Sequence, residues 1–300
     1  MSNNPHWKMD SLFANKSRGV QLLYLAMFIL FGLFVSTGVA MLLTWLFFGS
    51  MNVADASNPL AAMYLQSAIT SIGTFLAPAL LFAFCQDRQW WHYNHADRKP
   101  AYHLVNVTLI LSIIILPLVA LLGQWNEAIP LPDALQEMED KADDILEKLM
   151  QTRSYATLFL NIIVLGLIPA VCEEFLFRGT MQPFLSDWTR KPHLAIWLTA
   201  FIFSAIHMQF AGFIPRFFLG VYLGYLFYWS RSLWLPILAH FLHNALTIMV
   251  SFTLVGRGVD LENIKFTQIH GAIPMIVTCV VGTFISLVFM WKTKDDLLNH

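Results

Sequence analysis

Long uncharged stretches alternate with short polar connections along this chain. Apolar runs occupy approximately residues 19–49, 59–85, 102–124, 155–177, 194–208, 213–229, 233–254 and 271–291. A helix rising about 1.5 Å per residue needs roughly 20 apolar residues to cross a hydrocarbon core about 30 Å thick. The pattern therefore predicts about eight membrane-spanning helices, with the fifth and sixth short. The first run is far longer than the roughly 7–15 residues of a signal-peptide core, so it reads as an uncleaved span. Basic residues sort the connections. Lys8, Lys16 and Arg18, then Arg88, Arg98 and Lys99, then Arg190 and Lys191, Arg231, and Lys292 and Lys294 mark one side. The intervening connections at 50–58 and 209–212 carry none, and 255–270 carries Arg257 and Lys265. Cytoplasmic connections are enriched in Lys and Arg, so both termini are expected in the cytoplasm, which eight spans satisfy and seven or nine do not.

The connection at 125–154 holds Lys141, Lys148 and Arg153 among a larger number of acids. Within it Leu135, Met138, Ala142, Ile145 and Leu149 recur at spacings of three and four, one face of an amphipathic helix. A helix over about 133–153 is expected on the extracytoplasmic surface. Its carboxylates read as a solvated face rather than as catalysts. No repeat, low-complexity tract or soluble second domain interrupts the pattern. Residues 1–300 read as a single membrane-embedded domain with its polar core at 155–254.

Composition agrees. The 300 residues are 57% hydrophobic and 12% charged, against about 25% charged in soluble domains. The fold class is an all-α polytopic membrane protein whose constant partner is the lipid bilayer. A net charge of −1 excludes nucleic acid, which needs a basic face to neutralise phosphates. Cys85, Cys172 and Cys279 lie in or beside apolar runs and suit neither a disulfide framework nor a thiolate metal site. The lack of an organelle address favours a bacterial plasma membrane.

With the spans placed, their few polar residues stand out. They are Glu173, Glu174 and Arg178 in the fourth, His207 in the fifth, Arg216 in the sixth, and His240, His243 and Asn244 in the seventh. Each such charge costs about 2.5–3.5 kcal/mol at a helix centre, and an intramembrane ionisable residue is by default a functional candidate with a partner to be named. Glu174 and Arg178 are i and i+4 with the acid first, the favourable order for an ion pair, which gives them a structural role. Glu173 points roughly 100° away and is left to face the interior. His240 and Asn244, and likewise Phe203 and His207, are i and i+4 on one helix face.

Depth gives a partial test. Glu173 and His207 each lie 17 residues from Arg190 in the hairpin DWTRKPH, so the two reach a similar level if the fourth helix continues through TMQPFL. His240, only nine residues beyond Arg231, should sit nearer the cytoplasmic face unless tilt or a broken connection intervenes. Pro169 and Pro236 each fall four residues before a site residue, where a helix-interior proline removes an N–H and kinks the helix. A wet pocket holding Glu173, His207, His240 and Asn244 is the economical reading. Polar glue between helices accounts for one or two of these, but poorly for the set. His243 and Arg216 read as structural, and Gly220 and Gly224 as a small-residue face for helix packing.

Such a set supports hydrolysis by two routes. In one, Glu173 is the general base on a water, helped by His207, while His240 and Asn244 donate to the oxyanion. In the other, Glu173, His207 and His240 bind Zn²⁺, which acidifies a bound water. Asn is a better oxyanion donor than zinc ligand, which favours the first. The sequence contains no H-E-x-x-H, no G-x-S-x-G and no Asp within a span, against the usual zinc helix, serine elbow and aspartyl pair. Ser204 is a weak nucleophile candidate.

The three motifs E-E-x-x-x-R (Glu173, Glu174, Arg178), F-x-x-x-H (Phe203, His207) and H-x-x-x-N (His240, Asn244) resemble those of the CPBP family, also called Abi. These are CAAX-protease and bacteriocin-processing intramembrane endopeptidases that include type II CAAX prenyl endopeptidase. The resemblance implies an eight-helix membrane fold and cleavage of a peptide or protein substrate, prenylated or otherwise membrane-associated, near the cytoplasmic side. By motif position it implies Glu173 and His207 activating water, with His240 and Asn244 holding the oxyanion. It leaves Zn²⁺ dependence open. A non-catalytic protein of the same fold, in bacteriocin immunity or as a scaffold, and a transporter with ionisable residues at depth are the rival classes. Paired repeats would mark a transporter, whereas here the polar set falls in one half of the chain.

Overall fold

The computed structural model describes residues 11–13, 15–49, 59–87, 89–150, 154–258 and 272–293. Of the basic residues that sorted the connections, Lys8, Arg88, Arg153, Lys265 and Lys294 lie outside them, as do residues 50–58 and the end of the amphipathic segment at 151–153. The described residues are helical, with no strand among them. The helices are α1 (Arg18–Phe48), α2 (Leu60–Ser71), α3 (Ala77–Gln86), α4 (Trp90–Tyr93), α5 (Tyr102–Ile114), α6 (Leu116–Glu127) and α7 (Asp133–Met150). They continue as α8 (Tyr155–Asn161), α9 (Ile168–Leu176), α10 (Gln182–Thr189), α11 (Pro192–Ala205), α12 (Phe213–Ser230), α13 (Trp234–Gly256) and α14 (Ala272–Thr293).

Short π-helical turns weld some of these into longer rods. Ile72–Leu76 joins α2 to α3, while Ile162–Leu167 and Phe177–Met181 join α8, α9 and α10. Among the described residues, four helices are then long and apolar enough to cross a membrane: Arg18–Phe48, Leu60–Gln86, Tyr155–Thr189 and Trp234–Gly256. The pair α5 and α6 makes a fifth if its 42° bend at Ile115 counts as one span. The pattern predicts a single rod there; Pro117 in the first turn of α6 breaks it. The surface is that of a membrane protein. Phe34, Phe31, Phe47, Tyr102 and Phe284 are turned outward while Gln21, Thr44, Gln66, Glu174 and Arg178 are buried. Lipid gives no drive to bury apolar side chains, whereas a polar group inside it must find a partner.

Close packing rests on small residues. A side chain at Gly32 would meet the Gly73 carbonyl at 2.1 Å, and one at Gly73 would meet Ser36 Cβ at 2.3 Å, so α1 crosses the π turn of the second rod almost backbone to backbone. Gly220 and Gly224 serve α12 in the same way. Cβ atoms there would meet Ala200 Cβ at 3.0 Å and Ile196 Cγ2 at 2.8 Å on α11. The α11–α12 hairpin is thereby a tight pair whose apex, Ile206–Gly212, carries His207.

The rod made by α8, α9 and α10, fourth in chain order when α5 and α6 count as one, runs unbroken from Tyr155 to Thr189 and turns at Arg190, whose φ of 56° ends the helix in the left-handed region. Two details differ from the sequence reading. Pro236 lies in the first turn of α13, which begins at Trp234. There its missing N–H is an orphan in any case, so it does not kink the helix. Pro169 follows the π turn Ile162–Leu167, and the helix continues past it. The depth of His240 is also resolved. The α4–α5 connection bonds to both sides: Asn94 Nδ2 to Thr180 Oγ1 at 3.0 Å, and the Leu233 N–H to the His95 carbonyl at 3.3 Å. The turn before α13 is thus level with Thr180 rather than with Arg190, and α10 projects past it. Counted from that level, Glu173 and His240 lie seven residues from Thr180 and Leu233 respectively.

Candidate active site

Helix α9 carries Glu173 and Glu174 on different faces, and both are buried. Glu174 accepts a hydrogen bond from Arg178 Nη1 at 2.7 Å, one turn further along the rod. Arg178 has no exposed surface. Its other Nη donates to the Gly220 carbonyl at 2.9 Å, and its guanidinium lies 4.8 Å from the centre of the Phe203 ring. Burying an arginine without such partners would cost several kcal/mol. Here three helices contribute them, and Gly220 both admits α11 and offers the carbonyl.

Each histidine is oriented through its Nδ1. His240 Nδ1 lies 2.8 Å from Glu174 Oε1, and His207 Nδ1 lies 2.7 Å from the Phe203 carbonyl. Carboxylate and carbonyl oxygens accept, so both Nδ1 atoms carry a proton, which leaves both Nε2 atoms turned to the interior. The two Nε2 atoms face one group. His207 Nε2 is 3.9 Å from Glu173 Oε1, and His240 Nε2 is 3.9 Å from Glu173 Oε2. Phe203 packs edge-on between the rings, 5.1 Å from His207 and 6.0 Å from His240. A carboxylate and two imidazole nitrogens turned toward one another at that spacing leave a place for a water that donates to Glu173 and to one imidazole and accepts from the other when that ring is protonated.

Asn244 stands one turn beyond His240, and its amide is directed at the Leu165 and Gly166 carbonyls, 3.5 Å from each. The Leu165 carbonyl is one that Pro169, lacking an N–H, leaves free. The structure thus gathers Glu173, His207 and His240 at one point and sets Asn244 aside by about one helical turn, roughly 6 Å. His243 faces elsewhere, with its Nδ1 buried and unbonded. For zinc, Glu173, His207 and His240 would have to converge on one ion. Among the described residues no group of three His, Cys, Asp or Glu side chains is arranged to hold a metal, so the set as placed does not fit that role.

The apex of the α11–α12 hairpin holds residues that sequence reasoning missed. Glu139 of α7 is buried, only 4% exposed, and its Oε1 accepts the backbone N–H groups of Phe210 and of Ala211, the latter at 3.1 Å. Asn126, at the end of α6, donates to the Phe210 carbonyl at 2.8 Å and accepts the Ile214 N–H at 2.6 Å. Arg216 bonds back to Gln209, to its side chain at 2.9 Å and to its carbonyl, and so holds the apex. The acidic face of α7 is therefore not wholly solvated. A signal was present, because Glu139 sits four residues after Leu135 and three before Ala142, inside the apolar stripe.

These motifs can be set beside known proteins. Residues 155–246 match the type II CAAX prenyl endopeptidase Rce1-like family. That segment includes Glu173, Glu174, Arg178, Phe203, His207, His240 and Asn244, in agreement with the resemblance read from the motifs. An uncharacterized protein of Bacillus subtilis (strain 168), YpbD, is 32% identical over 110 residues, which cover 35% of this chain and 53% of that protein. The chain thus spans about half the length of the curated relative it matches. No solved structure matches it. The Rce1-like match takes in the fourth rod from Tyr155, the α11–α12 hairpin and the first half of α13, the elements that build the site.

Proposed function

We propose that this protein is an intramembrane endopeptidase in which Glu173 draws a proton from a water poised between it and the two histidines. The observation that carries the reading is the pair of 3.9 Å separations from the two oxygens of Glu173 to the Nε2 atoms of His207 and His240. In this reading Glu173 accepts the proton as the water attacks the peptide carbonyl, and His207 Nε2 orients the same water. To hold the oxyanion, His240 must carry a second proton at Nε2. Glu174, hydrogen-bonded to its Nδ1, balances that imidazolium much as a carboxylate does in a catalytic triad. Asn244 supplies the second donor by turning its amide from two carbonyl contacts that, at 3.5 Å, lie at the limit of hydrogen bonding. Glu173 then returns its proton to the leaving amine.

The same proposal includes eight spans in the cell membrane with both termini cytoplasmic and α7 on the opposite face. Thiol labelling of cysteines introduced at Asp140 and at Leu298 would test it: the first should react from outside intact cells and the second only after permeabilisation. The substrate class that suits the site is a peptide or protein segment held at the membrane, prenylated or otherwise inserted in it, because the site lies among spanning helices.

Purified protein and its Glu173→Gln variant, incubated in detergent with prenylated and unprenylated reporter peptides, with and without a chelator, test the chemistry. Cleavage that survives the chelator and requires Glu173 supports the Glu–His water mechanism. Loss on chelation with recovery on adding Zn²⁺ would replace it with metal catalysis, and cleavage by the Gln variant would end the reading.

A further inference from the structure

A long amphipathic helix that puts a carboxylate inward while leaving apolar residues outside needs a reason. On α7 Glu139 is buried, whereas Met138 and Leu146 are 43% and 46% exposed. A buried carboxylate is expensive unless hydrogen bonds offset its lost hydration. Glu139 gains two, both from the successive N–H groups of Phe210 and Ala211, charge-assisted and so stronger than neutral ones. Those N–H groups lie three and four residues after His207 in the hairpin apex. The apex has no regular backbone pairing of its own beyond short turns, and Met208 holds a positive φ of 53°. Further bonds to it come from Asn126, from Arg216 and from Ser204, whose Oγ donates to the Phe213 carbonyl at 2.6 Å. The other end of α7 is also fastened, because the Leu149 carbonyl accepts from Asn161 Nδ2 at 2.8 Å and Tyr64 donates to Asn161 Oδ1 at 2.7 Å.

We infer that Glu139 is a positioning residue for the hydrolytic site: α7 is a strap whose buried Glu139 carboxylate holds the apex, and through it the His207 imidazole, at its distance from Glu173. The inference rests on the endopeptidase reading for its catalytic consequence and on geometry alone for its structural one. His207 is the part of the site most in need of such support. It lies two residues beyond the end of α11, and its own ring is held by the Phe203 carbonyl and the edge of the Phe203 ring. Glu173 and His240, by contrast, lie within helices. A cavity of about 400 Å³, lined in part by Gln136, Glu139, Gln209 and Arg216, runs along the strap. α7 is thus seated on the apex by these polar contacts rather than by a filled apolar seam.

The test compares the full-length protein with Glu139→Gln, which keeps an accepting oxygen, Glu139→Leu, which leaves both N–H groups unmet, and Asn126→Ala, which releases the same apex from the other side. Hydrogen exchange at the apex amides and at the His207 ring C2 position, read by mass spectrometry, does not depend on activity. Faster exchange of residues 206–213 and a changed His207 rate in Glu139→Leu, with Glu139→Gln close to wild type, is the expected result. In the cleavage assay Glu139→Leu should lose about 10²-fold in kcat, the scale of a misplacement of about 1 Å, with KM little changed and Glu139→Gln restoring most of the rate. Should Glu139→Leu fail to fold, Asn126→Ala with the same pattern upholds the inference. Unchanged exchange and unchanged kcat in whichever of these variants folds would overturn it. Absence of cleavage by the wild type would sink the endopeptidase reading and leave the exchange result to decide the strap.

Discussion

Two regions of this protein bury carboxylates, and they do so in opposite sequence settings. In the fourth rod, Glu173 and Glu174 interrupt a long apolar stretch, so their cost in lipid marks them at once. On α7, Glu139 stands among Glu137, Asp140, Asp143 and Asp144, where one more acid looks like solvated surface. Yet both regions use the same physics. A buried charge persists because donors converge on it: Arg178 and His240 on Glu174, and two backbone N–H groups on Glu139. A functional charge is conspicuous only where its neighbours make it anomalous.

Substitutions can break or sharpen this comparison. The largest effect on activity is expected from Glu173→Gln, a loss of about 10²–10⁴-fold in kcat in a peptide cleavage assay, the usual range for a general base, with the thermal melt little moved. Arg178→Ala should act on the fold instead. It leaves Glu174 buried with one partner fewer and should cost about 3–5 kcal/mol, read as a lowered melting temperature or loss of the monodisperse protein in detergent. Glu139→Ala should be milder, about 1–3 kcal/mol for unmet buried N–H groups. A melt as damaged as that of Arg178→Ala would show the two carboxylates to be equivalent in weight. Between the neighbouring histidines, His240→Asn should abolish cleavage while His243→Asn keeps it within a few-fold, and equal loss would undo the assignment of His240.

The smallest effect concerns pH and the connection that levels the site. Burial, with Arg98 and Arg231 adding to it, holds the His95 ring down to about 4. In the unfolded chain the ring charges below about 6.5, but in the folded protein only below about 4. The stability it contributes is therefore complete above 6.5 and drains away as pH falls toward 4. His95→Asn, which tolerates the positive φ of 56° at this position, should flatten that part of the pH–melting curve. An unchanged slope would show that other groups set it.

How much was legible follows the same division. The amphipathic α7 and the Glu174 partner of Arg178 are written in spacing, since i and i+4 positions meet on a helix whatever surrounds it. The convergence of Glu173, His207 and His240 was legible in kind but not in depth. The level of α13 depends on Asn94, His95, Ala96 and Arg98 docking beside Thr180 and Ser232, contacts between residues far apart in the chain. Pro236 misled because its consequence depends on where the helix starts, and helix starts are the least determined feature of an apolar run. The orientation of Asn244 turned on a carbonyl freed by Pro169 across a helix interface, which no single-helix pattern contains.

The most direct test of the account is an experimental structure of the protein in a lipid nanodisc, read at the three side chains. Glu173 between two imidazoles, each Nε2 near 4 Å from a different carboxylate oxygen as here, is the predicted result. Glu173 turned into the acyl chains, or more than about a dozen ångströms from both rings and so beyond any bridging water, would contradict it.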